Sequence, residues 1–199
     1  MSNQKKAKSM INIKRLTFFG FSDESAETYD AQKVYPLTKR AMSFRDNKNF
    51  SSTPNNGDGE ETDRYYGVGD RNVEFQIQDI TPEEYAFLHG AEVDSGTLLT
   101  SGDDYIPYVG AAIMTERNDG HVNLYKYFKC KFPPGEINVQ QKTGNSVSFS
   151  NTTLSGSYTD LARIGFDRAV CIDLNPNDVT DAAFIESWFT TADFYKPAP

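Results

Sequence analysis

Between Val73 and Gly90 the hydrophobic pattern changes its period. Val73, Phe75 and Ile77 alternate with Glu74, Gln76 and Gln78, the spacing of a strand with one buried face. The alternation stops at Ile80, and Thr81, Pro82 and Glu84 then spell a helix start. Thr81 is the N-cap, Pro82 the first helical residue, and Glu84 completes a capping box. Ile80 and Tyr85 are spaced to staple that start, and Gly90 stands where a left-handed C′ residue ends a helix. A helix this short is not stable alone in water, so the face carrying Tyr85 and Leu88 is predicted to lie on a sheet.

The same reading predicts strands elsewhere. Ile11–Phe21 is rich in β-branched and aromatic residues, and 34–45 reads as a weaker strand with Met42 and Phe44 on one side. Residues 47–70, dense in Gly, Asn, Ser and Asp, read as a long loop that is mobile in the free chain. Residues 94–104 read as a polar turn region. Strands over 106–117 and 121–132 flank the hairpin turn Asn118–Gly120. In the second of these, Leu124, Lys126, Phe128, Cys130 and Phe132 are predicted to share one face, and Tyr125, Tyr127, Lys129 and Lys131 the other. A further hairpin is predicted over 137–142 and 146–158. Next comes a strand over 163–174 with Ile164, Phe166, Val170 and Ile172 in phase, and then a C-terminal helix over 180–189 with Phe184 and Trp188 on one face. Residues 1–9 read as a mobile arm and 10–199 as a single domain.

Composition narrows the function. Hydrophobic residues make up 38% and aromatics 13% of the 199 residues, enough for a core. A net charge of −8 argues against tight, nonspecific binding to DNA phosphates. Cys130 and Cys171 lack CxxC spacing and read as reduced, buried thiols. Lys14 and Arg15 interrupt the apolar residues near the start, so neither a signal peptide nor membrane insertion is expected.

The search for chemistry yields little. His89 and His121 have no His, Cys or carboxylate at metal-ligand spacing, so no metal site is expected. No phosphate loop, GxSxG elbow or HExxH occurs, and the acidic run Asp58, Glu60, Glu61, Asp63 lacks the spacing of a calcium loop. No catalytic residue, cofactor or enzymatic activity is predicted. The Tyr/Lys alternation at 125–131 reads as a sheet face or subunit contact rather than a nucleic-acid platform.

Segment order carries a resemblance. "DRYYGVG" runs into "VEFQIQDITPEEYAFLHG", followed by "DYIPYVGAAIMTE", "NLYKYFKCKFPPGEINVQQKTGNSVSFSNTTLSGSY" and "FIESWF". From about Leu16 to Phe189 this resembles the major tail proteins, or tail tube proteins, of long-tailed, non-contractile phages, especially those of Gram-positive hosts. The chain departs from the pattern around 159–178. The resemblance implies a mainly β fold, a β-sandwich or partly rolled barrel with one short flanking helix and a C-terminal helix. It implies a structural subunit stacked in hexameric rings around a tape-measure protein, bounded by tail terminator and distal tail proteins. Phage DNA passes through the tube without specific binding. Such a subunit is assembled in the host cytoplasm and resides in the virion tail. Glu74, Gln76, Gln78, Ser148 and Ser150 are then expected to face the bore, where acidic charge repels phosphate. Asp58, Glu60, Glu61, Asp63 and Arg64 are expected to reach the next ring. The competing reading is a small β-sandwich that binds a carbohydrate or receptor.

Overall fold

The computed structural model describes residues 9–37, 40–57, 60–135 and 151–195, the side chains of 56, 57 and 60–62 excepted. The chain is mainly β, as its residue pattern predicts. Strands β1 (Met10–Asp23), β2 (Thr28–Pro36), β3 (Ala41–Gly57) and β4 (Glu60–Ile77) precede helix α1 (Pro82–His89). After it come β5 (Glu92–Asp94), β6 (Thr97–Leu99), β7 (Val109–Arg117), β8 (Val122–Lys131), β9 (Thr152–Thr159), β10 (Arg168–Leu174) and helix α2 (Val179–Thr190). One eight-stranded sheet runs β2-β1-β7-β8-β9-β4-β3, with β10 also pairing β8; β5 and β6 form a separate hairpin. The pairs along that path are antiparallel.

The large sheet folds over on itself at β9, which pairs with both β8 and β4. This layers β3 and β4 over β1, β7 and β8 and encloses a core of Leu16, Phe18, Val73, Phe75, Ile77, Ile113, Tyr127, Phe132 and Tyr158. Phe18 meets Phe75 and Phe132 edge-on at 5.8 and 5.6 Å, the favoured arrangement of aromatic quadrupoles. Phe44 of β3 stacks on Phe75 at 5.7 Å and closes the layer. On the opposite face of β1, β7 and β8, helix α2 lays Ile185, Trp188 and Phe189 over Phe19, Ala112 and Leu124. Central strand β1 is therefore covered on both sides, which explains its unbroken buried run from Leu16 to Phe21.

Helix α1 follows its sequence signals closely. Thr81 caps it, Glu84 returns the capping-box bond to the Thr81 amide at 2.9 Å, and Gly90 ends it at φ 76°. Arg40 pairs with Glu84, and this pairing, together with the Thr81 bonds, holds the carboxyl below its usual range despite burial. Leu88 is buried in the core, but Tyr85 stays half-exposed against His89 at 4.3 Å. Phe87, which the periodicity did not single out, stacks on Tyr35 at 4.1 Å instead.

Several expectations change. Residues 47–57 and 60–70 form the distal halves of β3 and β4, not a loop. Their hydrogen bonds run strand to strand while both faces stay in water, so no buried face leaves a period-two signature. The 34–45 strand is two strands, parted after Pro36. The 94–104 region contains the end of β5 and all of β6, turning at Ser95 and Gly96 with φ 51° and 79°. The β8 face assignment fails beyond Phe128. A register shift opposite Val109–Ala111 inserts a bulge, which moves Cys130 and Phe132 into the inner core with Tyr127. Strand β10 begins at Arg168 rather than 163, and its in-phase Val170 and Ile172 are exposed. The alternate residues Ala169, Cys171 and Leu174 turn to α2 instead. The predicted 137–142 strand, the start of its partner and residues 1–8 lie outside the described residues.

Lys126 of β8 is the least expected core residue, at 1% exposure. Its ammonium donates to the carbonyls of Thr191 and Phe194 at 2.8 and 2.7 Å, just where α2 ends and leaves acceptors unpaired. The rings of Trp188 and Phe19 flank it at 5.0 and 5.3 Å. Burial pushes its pKa down to about 7, against an opposing pull from Asp193.

Two outcomes follow from this architecture. Thr81→Ala is expected to cost about 1 kcal/mol and Leu88→Ala about 2–5 kcal/mol in urea unfolding, since one removes a cap and the other hollows the core. Because the folded-state value for Lys126 lies below its ordinary 10.5, the protonated amine costs stability in full below about pH 7. That cost is relieved as pH rises from about 7 toward 10.5. Wild-type Tm should therefore climb over this window relative to Lys126→Met, and a pH-independent gap between the two would contradict the burial argument.

Candidate functional site

Strand β9 supports β4 only over Asn72–Ile77. Beyond that point β3 and β4 pair with each other alone, from Phe50↔Val68 to Gly57↔Glu60. At about 3.3 Å per residue, residues 49–57 carry this two-stranded arm roughly 30 Å from the body.

The arm is amphipathic. Register places Phe50 opposite Val68, Ser52 opposite Tyr66 and Pro54 opposite Arg64. With side chains alternating, Phe50, Pro54, Tyr66 and Val68 share one face with Ser52 and Arg64, while Ser51, Thr53, Asn55, Asp63 and Tyr65 share the other. Phe50, Tyr66 and Val68 are 59%, 63% and 51% exposed, so the apolar face lies open to water. Arg64 steadies its edge through Ser52 Oγ at 3.3 Å. An isolated two-stranded ribbon is marginally stable, and an exposed apolar stripe along it suits association better than chemistry.

The sequence-predicted site residues divide between this arm and its base. Asp63 and Arg64 lie exposed on the arm, and Glu60 and Glu61 begin β4; Asp58 is outside the described residues. Glu74 and Gln76 sit at the base on the face of β4 turned away from the core, and Gln78 is exposed just past the strand. Ser148 and Ser150 lie outside the described residues.

That outward face is a polar lattice. Gln76 lies between Ser43 and Thr153, Glu74 between Arg45 and Ser155, and Asn72 between Asn47 and Ser157. Ser155 Oγ donates to Glu74 at 3.4 Å, and a shallow groove of about 460 Å³ runs along Arg45, Asn72, Glu74 and Ser155. Arg45 stands directly opposite Glu74 in the register, one basic residue beside one acidic. The face is thus neutral and hydroxyl- and amide-rich, rather than acidic as expected.

One cluster was not visible in the sequence. Asp173, 52 positions away, lies 2.9 Å from His121 Nδ1, and Asp119 stands beside both. Arg117 reaches Asp173 at 2.7 Å and Asp119 at 3.4 Å, so a guanidinium already supplies the positive charge between these carboxylates. This is an ion-pair cluster tying the β7–β8 turn to β10. His89 is buried with Nδ1 2.8 Å from the Phe132 carbonyl, and burial lowers its pKa. The Cys130 and Cys171 thiols are free, and burial raises both. Among the described residues no helix is long and apolar enough to cross a membrane.

Compared with known proteins, the chain matches no family model, and no curated protein matches it either.

Because Phe50 and Val68 project into water, the double change Phe50→Ser, Val68→Ser is expected to lower subunit stability by under about 1 kcal/mol in urea unfolding. A larger loss would mean that the arm folds back on the body.

Proposed function

We propose that this chain is a structural subunit that self-assembles through its β-arm, and that the assembly is the tail tube of a long-tailed, non-contractile phage. The observation that carries the self-assembly reading is the arm, which exposes Phe50, Tyr66 and Val68 on one face with nothing among the described residues to cover them. A head-to-tail contact between an arm and a different surface of the next copy closes into rings or propagates along a stack. The specific assignment to a tail tube rests on the sequence resemblance running from Leu16 to Phe189. On this reading the neutral lattice around Glu74 and Gln76 faces the bore. Hydroxyls, amides and equal numbers of Arg45 and Glu74 charges leave passing phosphates little net positive charge to bind.

The competing binding module receives less support. A carbohydrate site needs aromatic rings gathered on one concave surface, yet adjacent Tyr65 and Tyr66 point to opposite faces of the ribbon. Trp188 is fully buried under α2.

Negative-stain microscopy of concentrated, purified protein tests the proposal. Rings or tubes are expected from the wild type. Replacing residues 52–66 with Asn-Gly should leave a folded monomer of nearly unchanged Tm that forms neither, because the excised segment contributes nothing to the core. A wild type that stays monomeric at every concentration, or an arm-less variant that still builds tubes, would overturn it.

A further inference from the structure

Segment 159–178, where the chain departs from the tail-tube pattern, meets the root of the arm. After β9 the chain turns back on itself, anchored by buried Leu161 and its bridge to Phe166. This turn presents Asp160, Asp167 and Arg168 to the last arm residues before the ribbon leaves the body.

The charges interlock. Lys48 and Arg71 are direct cross-strand partners, an arrangement that repels unless an anion lies between them. Asp167 Oδ2 supplies it, 2.8 Å from Lys48 Nζ and 3.2 Å from Arg71 Nη1. Asp160 also pairs with the same Nη1 of Arg71. Two residues nearer the body the signs reverse: Asp46 of β3 is held by Arg168 and by the Tyr158 hydroxyl at 2.8 Å. The Lys48, Arg71, Asp167 and Asp46 side chains are 24%, 20%, 12% and 16% exposed, sheltered enough for their pairing to resist screening. Immediately beyond, the β3–β4 register shifts between Lys48 and Phe50, a bulge beside Gly67 and Gly69. The clamp therefore grips the final rigid residues, and the ribbon can bend only past them.

We infer that the Asp160–Arg168 turn is an ionic clamp that sets the direction in which the β-arm leaves the subunit. Lys48, Arg71 and Asp46 are positioning residues whose charges are answered one by one from the turn. The device rests on the self-assembly reading only for its purpose, which is to present the apolar face at a fixed angle to a second copy. The clamp itself belongs to the single subunit.

Its test uses the isolated, full-length chain at a concentration where it is monomeric. Spin labels are placed at Thr53→Cys on the arm and Lys14→Cys on the body, with Cys171→Ser removing the partly exposed native thiol. Pulsed electron paramagnetic resonance then reads the distance between them. The clamped chain should give one narrow distribution. Asp160→Asn with Asp167→Asn should at least double its width, and so should the milder Lys48→Gln, which changes one side chain outside the hydrophobic core. Arg168→Asp should broaden it, and adding Asp46→Arg, which restores opposite charges, should narrow it again. Circular dichroism and Tm confirm that each variant is folded. A wild-type distribution in folded Lys48→Gln and Arg168→Asp, or no recovery in the swapped pair, overturns the clamp. Tube formation is not read at all, so a failure of the self-assembly proposal leaves this result standing.

Discussion

The architecture depends on where β9 stops pairing with β4. Backbone N–H and C=O groups must find partners, and β4 has partners on both sides only across Asn72–Ile77. Within those six residues Val73, Phe75 and Ile77 face a closed core, and the sheet can fold over itself because β9 serves both layers. Past Asn72, among the described residues, the ribbon has a single pairing partner and no layer beneath it. Everything that distinguishes this chain as a candidate assembly subunit follows from that boundary: a stiff root inside the body, and a long ribbon outside it.

The two faces of the inner sheet are stabilised differently. Aromatic packing around Phe18, Phe75 and Phe132 fills the space between layers, while α2 covers the other side with Trp188 and Phe189. Lys126 joins the two levels, using its ammonium to satisfy carbonyls that the end of α2 leaves open. A buried cation is costly unless each interaction around it is well placed, and here two acceptors and two ring faces converge on it. The helix end and the sheet are consequently fixed to each other by a polar contact inside an otherwise apolar seam.

Ionic contacts recur where segments distant in sequence meet. Arg40 with Glu84 ties β3 to α1; Arg117, Asp119, His121 and Asp173 tie the β7–β8 turn to β10; Asp46, Lys48 and Arg71 tie the arm root to the turn before β10. In each case charge pairing adds direction to the packing that apolar contact alone does not give. On the proposed reading, this is how one chain combines a rigid body with an arm held at a set angle.

Helix α1 was legible almost atom by atom, because caps and C′ glycines act within a few residues: Thr81, Glu84 and Gly90 specify it locally. The alternation over Val73–Ile77, the Asn118–Gly120 turn and the Phe184/Trp188 stripe of α2 were legible for the same reason. What the sequence did not disclose was decided by partners far along the chain. Residues 47–57 and 60–70 looked structureless because Gly, Asn, Ser and Asp dominate them and their few apolar residues are not buried, although the backbone pairs strand to strand. The bulge beyond Phe128 reversed a face assignment that strict alternation supported. Asp167 meets Lys48 across 119 positions, and Arg45 comes to stand opposite Glu74 only once β3 lies beside β4. Local chemistry determines where elements start and stop; which charges answer each other, and which apolar faces remain uncovered, depends on tertiary contacts that no short window of sequence contains.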